Sequence, residues 1–560
     1  MATPARAVGS SVERSSMVVA AWVLVSRITG FARVAVIGAV LGPTYLGNTF
    51  QAMNSLPNMI MYNLLLGELF VALLMPSLVR LVDARDRRRV ERLAGAFLGL
   101  VTATFLVVAV LIIAVGPLLL RLLTLGVEDQ AAAVAQRRVG LLLLAVVMPQ
   151  VILYGLTATA IAIMNAHERF VLASAAPALE NLGVIATLGA YALHFGTGTR
   201  VESVTSAQAL LLGLGATAAV GLHAAAQWWG AWRLGIRLLP RAGWRDPEVR
   251  ELIRRAIPSL GYAWLKAGRL FAALVVANRV AGGVVAFQLA QTFLALAVAL
   301  GVRAVATPLR PELARLYVDG KPQQFRDQLL RGMSFVHFLT VPAAVAYVVL
   351  AGPLAKAVSF GEMATGAGVV LVAWALAAQA PALLGDARFE IALEGSYARR
   401  DARSPFHSQA LCTGIALAGM LVAFVLPPGV TVLLALGLAI SAGSLVAGWD
   451  LWRRVVGTLP KSEERARPAT LRTAAAACLM SAPAYAVASA MPTWAEGRLA
   501  NLIGVVAASV VGVIVYTALQ RMWRSPELSS LIAALRRTPS RPATERPAKR
   551  DIAAFRSNRS

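Results

Sequence analysis

Apolar segments long enough to cross a lipid bilayer are the dominant feature of this sequence. A spanning helix needs roughly 20 mostly apolar residues, and only 14% of the 560 residues are charged, against about 25% in soluble proteins. We count about fourteen such segments, near residues 17–41, 48–79, 93–120, 139–164, 170–195, 206–232, 255–280, 284–309, 333–358, 366–394, 408–427, 429–452, 470–491 and 499–521. Because helices satisfy their own backbone hydrogen bonds in lipid, the sequence predicts an all-α polytopic membrane protein.

The loops between these spans alternate in charge. The connections at 41–47 and 127–130 are poor in Lys and Arg. Basic loops follow spans 2, 6, 8, 10 and 12, at residues 80–92, 233–255, 310–331, 397–405 and 453–472. The positive-inside rule then predicts a multi-pass protein of the cytoplasmic membrane with both termini cytoplasmic. The net charge of +25 fits basic loops against anionic lipid headgroups, so no nucleic-acid partner is expected.

A short repeat suggests two related halves. Span 2 ends in PSLVRLVDARD (76–86) and span 8 ends in PELARLYVDGK (311–321); the alternative is chance similarity between two basic loops. Two parallel halves of six spans usually enclose a central site. We predict an N-terminal segment (1–16), an N-lobe (17–232), a basic linker (233–254) and a C-lobe (255–452). Spans 13 and 14, with the loop before them, follow at 453–521, and a basic tail occupies 522–560. The tail is expected to begin with an amphipathic surface helix over 525–537 and to end disordered.

Span 1 carries two arginines, Arg27 and Arg33, within SRITGFARVAVIG (26–38). Each costs roughly 2.5–3.5 kcal/mol at the centre of a bilayer helix, and such residues usually face a bundle interior or a wet cavity. The other charges within or at the ends of spans are Glu68, Glu180, Lys266, Arg269, Arg303, Asp386, Arg388 and Glu390. Basic groups outnumber acidic ones, which favours a cavity for an anion.

An interhelical ion pair that only fixes packing, for example between Arg33 and Glu68, is the alternative interpretation. Arg27 and Arg33 lie about 120° apart on an ideal helix. Both can therefore reach one cavity only through their length or a bend, for which Gly30 is the candidate position.

Motifs for catalysis, metals and cofactors are absent from the sequence. There is no phosphate-binding G-x-x-x-x-G-K-[ST] loop, and the five histidines show no metal-ligand spacing. Cys412 and Cys478 lie in apolar segments and are interpreted as small core residues. We therefore expect a protein that is not an enzyme and has no metal site or cofactor.

Three segments follow one another near the start of the sequence: SRITGFAR (26–33), LPN (56–58) and LGELFVALLMPSL (66–78). Together they resemble the opening of the MurJ/MviN family, the lipid II flippases of the MOP exporter superfamily. The resemblance continues in order through AHERFVLASAAPALENLG, ALGVRAVATPLRPELARLYVDGK and GSYARRDARSP, at 166–183, 299–321 and 395–405. It covers roughly residues 15–520.

This resemblance implies fourteen spans in two six-helix lobes, a groove for a polyprenyl tail formed by spans 13 and 14, and alternating access. It also implies a central cavity whose arginines, here Arg27 and Arg33, hold a lipid diphosphate. The chain departs from the family pattern at several positions: Asn48 and Leu66 replace acidic residues, and Met61, Tyr62 and Gln291 replace basic ones. The candidate substrate-binding residues are Arg27, Arg33, Asn48, Asn58, Glu68, Lys266, Arg269 and Gln291.

The predicted function is a flippase for a polyprenyl-diphosphate-linked saccharide, by default the peptidoglycan precursor lipid II, with a role in cell-wall biogenesis and cell shape. Two alternatives stay open at this point: a flippase for another lipid-linked glycan, and a non-transporting paralogue that acts as a scaffold for envelope assembly. A cation-coupled exporter of small amphiphiles ranks lower, because few acidic residues lie in the spans. The expected partners are the lipid-linked substrate, membrane lipids and, through the tail, cell-wall synthesis proteins.

Overall fold

Helices and short connections make up the whole described part of the chain. The computed structural model describes residues 5–59, 69–243, 247–365, 367–460, 466–490 and 498–536, with side chains over 18–59, 74–243, 254, 261–365, 367–460, 469–490 and 500–533. These residues contain no β-strand. The predicted all-α membrane fold is confirmed.

Within the described residues, twenty α-helices follow one another. The N-terminal half consists of α1 (Ala5–Leu41), α2 (Tyr45–Met59), α3 (Leu69–Asp83), α4 (Arg87–Leu123), α5 (Gln130–Val147), α6 (Gln150–Ala166), α7 (Phe170–Phe195) and α8 (Ser206–Arg233). The C-terminal half consists of α9 (Pro247–Ala277), α10 (Gly283–Ala297), α11 (Arg303–Val318), α12 (Pro322–Val349), α13 (Ala351–Val358), α14 (Gly368–Gln379), α15 (Ala382–Ala398), α16 (Arg403–Val425) and α17 (Val430–Val456). Three further helices are α18 (Ala466–Ala490), α19 (Arg498–Met522) and α20 (Pro526–Arg536).

Eleven helical segments in the described residues are long and apolar enough to cross a membrane. A twelfth is formed by α14 and α15 if this pair, bent by 42°, is one span. The predicted count of fourteen is therefore not confirmed. The two other predicted spans correspond to α2 with α3, between which residues 60–68 lie outside the described residues, and to α9, which contains Lys266 and Arg269.

The two repeated segments at 76–86 and 311–321 both begin with the pattern P-x-L-x-R-L and have the same local structure. Each ends a helix, with Leu78 of α3 and Leu313 of α11 completely buried. At equivalent places just after the motifs, Arg85 and Gly320 adopt left-handed backbone conformations with φ of 54° and 66°. The shared geometry supports a structural repeat, while the lobe boundaries remain a prediction.

Several spans are interrupted rather than straight. A π-helical segment, Val298–Val302, joins α10 to α11, and Pro149 and Pro381 stand at the breaks between α5 and α6 and between α14 and α15. Proline lacks the backbone N–H that would continue the helix. Such breaks are tolerated at membrane depth where neighbouring helices or a cavity satisfy the backbone.

Glycines allow close packing between α15 and α17. A Cβ atom added at Gly385 would lie 2.3 Å from the carbonyl carbon of Ser444, and one at Gly448 would lie 2.4 Å from the carbonyl oxygen of Gly385. Small residues at helix interfaces let two membrane helices approach closely. This contact fixes α15, which carries Asp386, against α17.

The predicted surface helix at the C-terminus is present as α20. Arg472 of α18 pairs with Glu527 of α20 at 2.7 Å, and the Ser525 hydroxyl donates a hydrogen bond to the same carboxylate. The predicted disordered tail lies outside the described residues.

Candidate functional site

Arg27 and Arg33 both lie on α1, but their surroundings differ. The side chain of Arg27 is exposed and forms no ion pair or hydrogen bond within the described part of the chain. Arg33 is half-buried, and its Nη1 lies 3.3 Å from Oε1 of Glu180 on α7. Arg33 therefore forms an interhelical ion pair with Glu180, while the alternative pair with Glu68 is not tested, because Glu68 lies outside the described residues.

Glu180 is the centre of a polar network that joins four helices. Its Oε1 also accepts a hydrogen bond from the Tyr154 hydroxyl on α6 at 2.9 Å, and its Oε2 lies 2.9 Å from Nδ1 of His223 on α8. Gln227, one turn along α8, lies 3.4 Å from the other ring nitrogen of His223. Buried ion pairs need such additional hydrogen bonds to offset the loss of water.

Arg33 keeps hydrogen-bonding capacity beyond this pair. Its buried Nε atom has no hydrogen-bond partner in the part of the chain that the structure describes. A guanidinium offers five N–H donors, and a phosphate can accept two of them side by side. Arg33 could therefore bind an anion while it stays paired with Glu180, or it could exchange its contact with Glu180 for one with the anion.

Asn181, next to Glu180, holds α1 against α7. Its Nδ2 donates to the carbonyl oxygen of Ser26 at 3.2 Å and to Oγ1 of Thr29 at 3.1 Å. A Cβ atom at Gly30 would lie 3.4 Å from the same amide nitrogen. Helix α1 is continuous through Gly30, so the structure accounts for this glycine by a close approach to Asn181.

Asn48, another predicted site residue, is completely buried between the two halves. Its Nδ2 donates to the carbonyl oxygen of Val280 at 2.8 Å, and its Oδ1 accepts from the backbone N–H of Val284 at 3.0 Å. In this conformation Asn48 therefore holds α2 against the start of α10.

Asn58 and Gln291 lie further along the same two helices, α2 and α10, and both are half-buried. The helices contact each other nearby, where Gln288 Nε2 lies 3.4 Å from Oγ of Ser55. The structure thus brings Asn58 and Gln291 to one region between the halves.

Lys266 and Arg269, on α9, lie beside acidic residues of α15. Both are within electrostatic reach of Asp386, and Lys266 is also near Glu390. Lys266 Nζ lies 5.8 Å from the ring centroid of Tyr262, and the buried Nη1 of Arg269 has no hydrogen-bond partner among the described residues. These cations therefore belong to a mixed-charge cluster in the C-terminal half, separate from the Glu180 network.

Polar contacts join the two halves at one end of the molecule, which we call the closed end. Gln136 of α5 exchanges hydrogen bonds with Asn278, at 3.0 and 3.3 Å. The Thr197 hydroxyl donates to Glu362 at 2.7 Å. This end is built from Lys/Arg-poor connections such as 41–47 and 127–130, which the charge pattern predicts to face away from the cytoplasm.

Arg279 strengthens the closed end. Its Nη1 donates to the carbonyl oxygen of Leu426 at 2.7 Å, its Nε donates to that of Gly126 at 3.3 Å, and the guanidinium lies 5.0 Å from the ring centroid of Phe424. Gly126 belongs to the N-terminal half and Leu426 to the C-terminal half. Arg279 therefore connects the two halves at the closed end through carbonyl partners on both sides.

An apolar cavity of about 390 Å³ lies between α12 and the helices α18, α19 and α20. Phe338, Pro342, Met480, Tyr516 and Leu531 are among its lining residues. It occupies the region where the resemblance implies a groove for a polyprenyl tail. Its wall is suited to a hydrocarbon chain.

The sequence profile of a known family matches most of the chain. The profile described as lipid II flippase MurJ matches residues 37–504.

The chain belongs to the lipid II flippase MurJ family.

Curated members of the MurJ family align with the chain over most of its length. A probable lipid II flippase MurJ from Rhizobium tropici is 28% identical over 426 residues, which is 76% of each chain. Another, from Rhizobium meliloti (strain 1021), is 25% identical over 537 residues, covering 93% of this chain and 96% of the relative. These relatives are named as flippases and not as enzymes.

Solved structures agree on the fold. Lipid II flippase MurJ in an inward closed conformation superposes with a TM-score of 0.70 at 15% identity, covering 92% of this chain and 100% of that one. An inward-facing multidrug resistance MATE family transporter of the MOP superfamily gives a TM-score of 0.61 at 14% identity, covering 76% and 93%. The chain thus has the fold shared by MurJ and MATE transporters.

Proposed function

We propose that this protein moves lipid II across the cytoplasmic membrane by alternating access, as part of peptidoglycan biosynthesis. The observation that carries the proposal is the match of residues 37–504 to the lipid II flippase family. In this proposal the diphosphate contacts Arg27 and Arg33, and the polyprenyl tail occupies the apolar cavity beside α18 and α19.

The charges of the described spans support an anionic substrate. Arg27 has no partner there, and Arg33 retains an unused Nε donor beside Glu180. A diphosphate has several oxygens that accept paired N–H donors. A headgroup between the two halves would thus meet the Arg27 guanidinium, which has no partner in the described spans. It would also meet the Arg33 guanidinium, of which only some donors are used by Glu180.

The distribution of contacts supports alternating access. The halves are joined at the closed end by hydrogen bonds from Asn48 to the Val280 carbonyl, from Gln136 to Asn278, and from Arg279 to the Gly126 carbonyl. Such contacts can break and re-form as one half rocks against the other. The proposal requires them to open when the headgroup leaves on the far side of the membrane.

Replacing the resident lipid II flippase of a depletion strain with this chain tests the proposal. We expect growth to be restored, and lipid II to co-purify with the protein and to be identified by mass spectrometry. The double variant Arg27→Ala/Arg33→Ala should lose both. Arg121→Ala, an exposed arginine at the end of α4, is the matched control and should keep both.

Two outcomes would contradict the proposal. Failure of the well-expressed parent protein to restore growth would argue against lipid II as the substrate. Equal recovery of lipid II from the parent and from the double arginine variant would argue against the diphosphate contact.

A further inference from the structure

The Glu180 carboxylate contacts a histidine and an arginine at the same time. Arg33 from α1 lies 3.3 Å from Oε1, and His223 from α8 lies 2.9 Å from Oε2. The His223 side chain is 2% exposed and that of Glu180 is 10% exposed, whereas Arg33 at 18% is the most accessible of the three. Arg33 is thus the member of the network that a ligand can reach.

Charge balance in this network depends on Arg33. With His223 neutral, the arginine cation and the glutamate anion compensate each other. If Arg33 turned to a phosphate, Glu180 would keep only two neutral donors, Tyr154 and His223. A buried carboxylate without a countercharge is costly, and protonation of His223 would restore an ion pair at the same position.

The hydrogen bonds around His223 can satisfy both protonation states. In the neutral ring, Nδ1–H donates to Glu180, and Nε2 accepts from Nε2 of Gln227 at 3.4 Å. Among the described residues, the buried Oε1 atom of Gln227 has no hydrogen-bond partner. Rotation of this amide would place that oxygen against the imidazolium Nε2–H, because the two ends of a glutamine amide exchange donor for acceptor. The rotation would give up the 3.3 Å hydrogen bond from Gln227 Nε2 to the Ala173 carbonyl oxygen.

We propose that Glu180 and His223 form a proton-binding site coupled to substrate: His223 takes up one proton at Nε2 when a diphosphate engages Arg33, and returns it when the diphosphate leaves. The inference rests on the proposed lipid II flippase function. The proton comes from water, and no covalent bond other than this N–H forms or breaks.

The groups that face His223 are few. They are Arg33 from α1, Tyr154 from α6, Glu180 from α7 and Gln227 on α8 itself. Helices α2 and α5 also pack on α8. The ionisable residues of these two helices are Tyr45, Arg137 and Arg138, and each of them bonds elsewhere. Tyr45 donates to the Arg279 carbonyl, Arg137 donates to Thr124, and Arg138 donates to the Val204 carbonyl.

Thermodynamic linkage gives the sign of the effect. If binding takes up a proton, affinity rises as pH falls, by up to about tenfold per pH unit. A diphosphate esterified at both ends has no ionisation near neutral pH. A pH-dependent affinity would therefore come from the protein.

Calorimetry on the full-length protein in nanodiscs tests this coupling with lipid II as the probe. Titrations in two buffers of different ionisation enthalpy, between about pH 6 and about pH 8, measure the protons taken up per lipid bound. We expect an uptake that approaches one proton per bound lipid II in the wild type, and no proton uptake in His223→Gln. His337→Gln, a buried histidine of α12 bonded to Thr470, is the matched control and should retain the uptake.

The outcomes separate this inference from the proposed function. Lipid II binding without proton uptake in the wild type would overturn the coupling and leave the flippase proposal standing. Uptake that persists in His223→Gln, or disappears equally in His337→Gln, would also overturn it. Absence of any lipid II binding by the folded wild type would contradict both proposals. If His223→Gln does not fold, Glu180→Gln provides the same test, because it removes the charge that holds the proton.

Discussion

At the scale of single residues, the two arginines of span 1 differ in their contacts. Arg33 is tied to Glu180, whereas Arg27 has no partner in the described residues. A charged group in a bilayer interior is stable only if it is paired or wet. The pairing therefore accounts for the presence of Arg33 in the span, and Arg27 is the one whose presence calls for a ligand or water.

The Glu180 network makes a prediction about stability. Glu180→Leu should lower the free energy of unfolding by about 3–5 kcal/mol, because it leaves the Arg33 cation buried without a counterion. Adding Arg33→Leu should recover a large part of that loss, since the remaining site is then uncharged. Thermal melting of the purified variants in detergent measures both effects.

A surface carboxylate is the control for this pair. Glu202, which pairs with Arg200 at 3.9 Å, lies at the surface, and Glu202→Leu should change stability by less than about 0.5 kcal/mol. Equal melting temperatures for Glu180→Leu and the wild type would show that the network does not hold the fold.

At the scale of helices, packing depends on where small residues fall. Helices α15 and α17 meet at Gly385 and Gly448, where the backbone of one helix approaches the backbone of the other. Large apolar side chains are not what holds this contact together, because lipid tails are as apolar as leucine. Close approach and polar contacts provide the stabilisation instead.

Adding a methyl group at the α15–α17 contact should separate the two helices. Gly385→Ala places a Cβ atom 2.3 Å from the Ser444 carbonyl carbon, so we expect a loss of about 1–3 kcal/mol, typical of overpacking. Gly414→Ala is the matched control: its Cβ would meet nothing within 4 Å, and alanine favours a helix over glycine by about 1 kcal/mol. A melting temperature of Gly385→Ala at or above that of Gly414→Ala would contradict this account.

At the scale of the whole molecule, the two halves are held together at the closed end. The contacts there include Asn48 with the backbone of α10, Arg279 with the Gly126 carbonyl and Thr197 with Glu362. They join elements that are far apart in sequence. Alternating access in a two-lobed transporter requires these contacts to be broken in each cycle.

Locking the closed end should stop transport. The pair Thr197→Cys/Glu362→Cys, in a background with the exposed Cys478 changed to Ser, places two thiols where the native side chains are 2.7 Å apart. After cross-linking with a short, reducible bis-thiol reagent, we expect lipid II flipping in proteoliposomes to fall to background and to return on reduction. Each single cysteine variant, treated in the same way, is the control. Unchanged flipping by the cross-linked protein would show that this end does not need to open.

Much of the fold follows from the sequence alone, because the relevant signals are local. Apolar length predicts the helices, and basic loops predict the orientation of the spans. The P-x-L-x-R-L motifs indicated a repeat whose two copies share a buried leucine and a left-handed residue, as seen at Leu78 and Arg85. The number of spans does not follow in the same way, because hydropathy does not reveal where a helix is broken, as it is between α14 and α15.

The partners of the charged residues were decided by the tertiary structure. Glu180 lies 147 positions from Arg33 along the chain, and Asn48 bonds to backbone atoms of Val280 and Val284 in the other half. Hydropathy and motif spacing show that a charge lies within a span, but not which helix face opposes it. That depends on how the helices rotate and pack, and this packing determines that Arg33 is paired while Arg27 has no partner in the described residues.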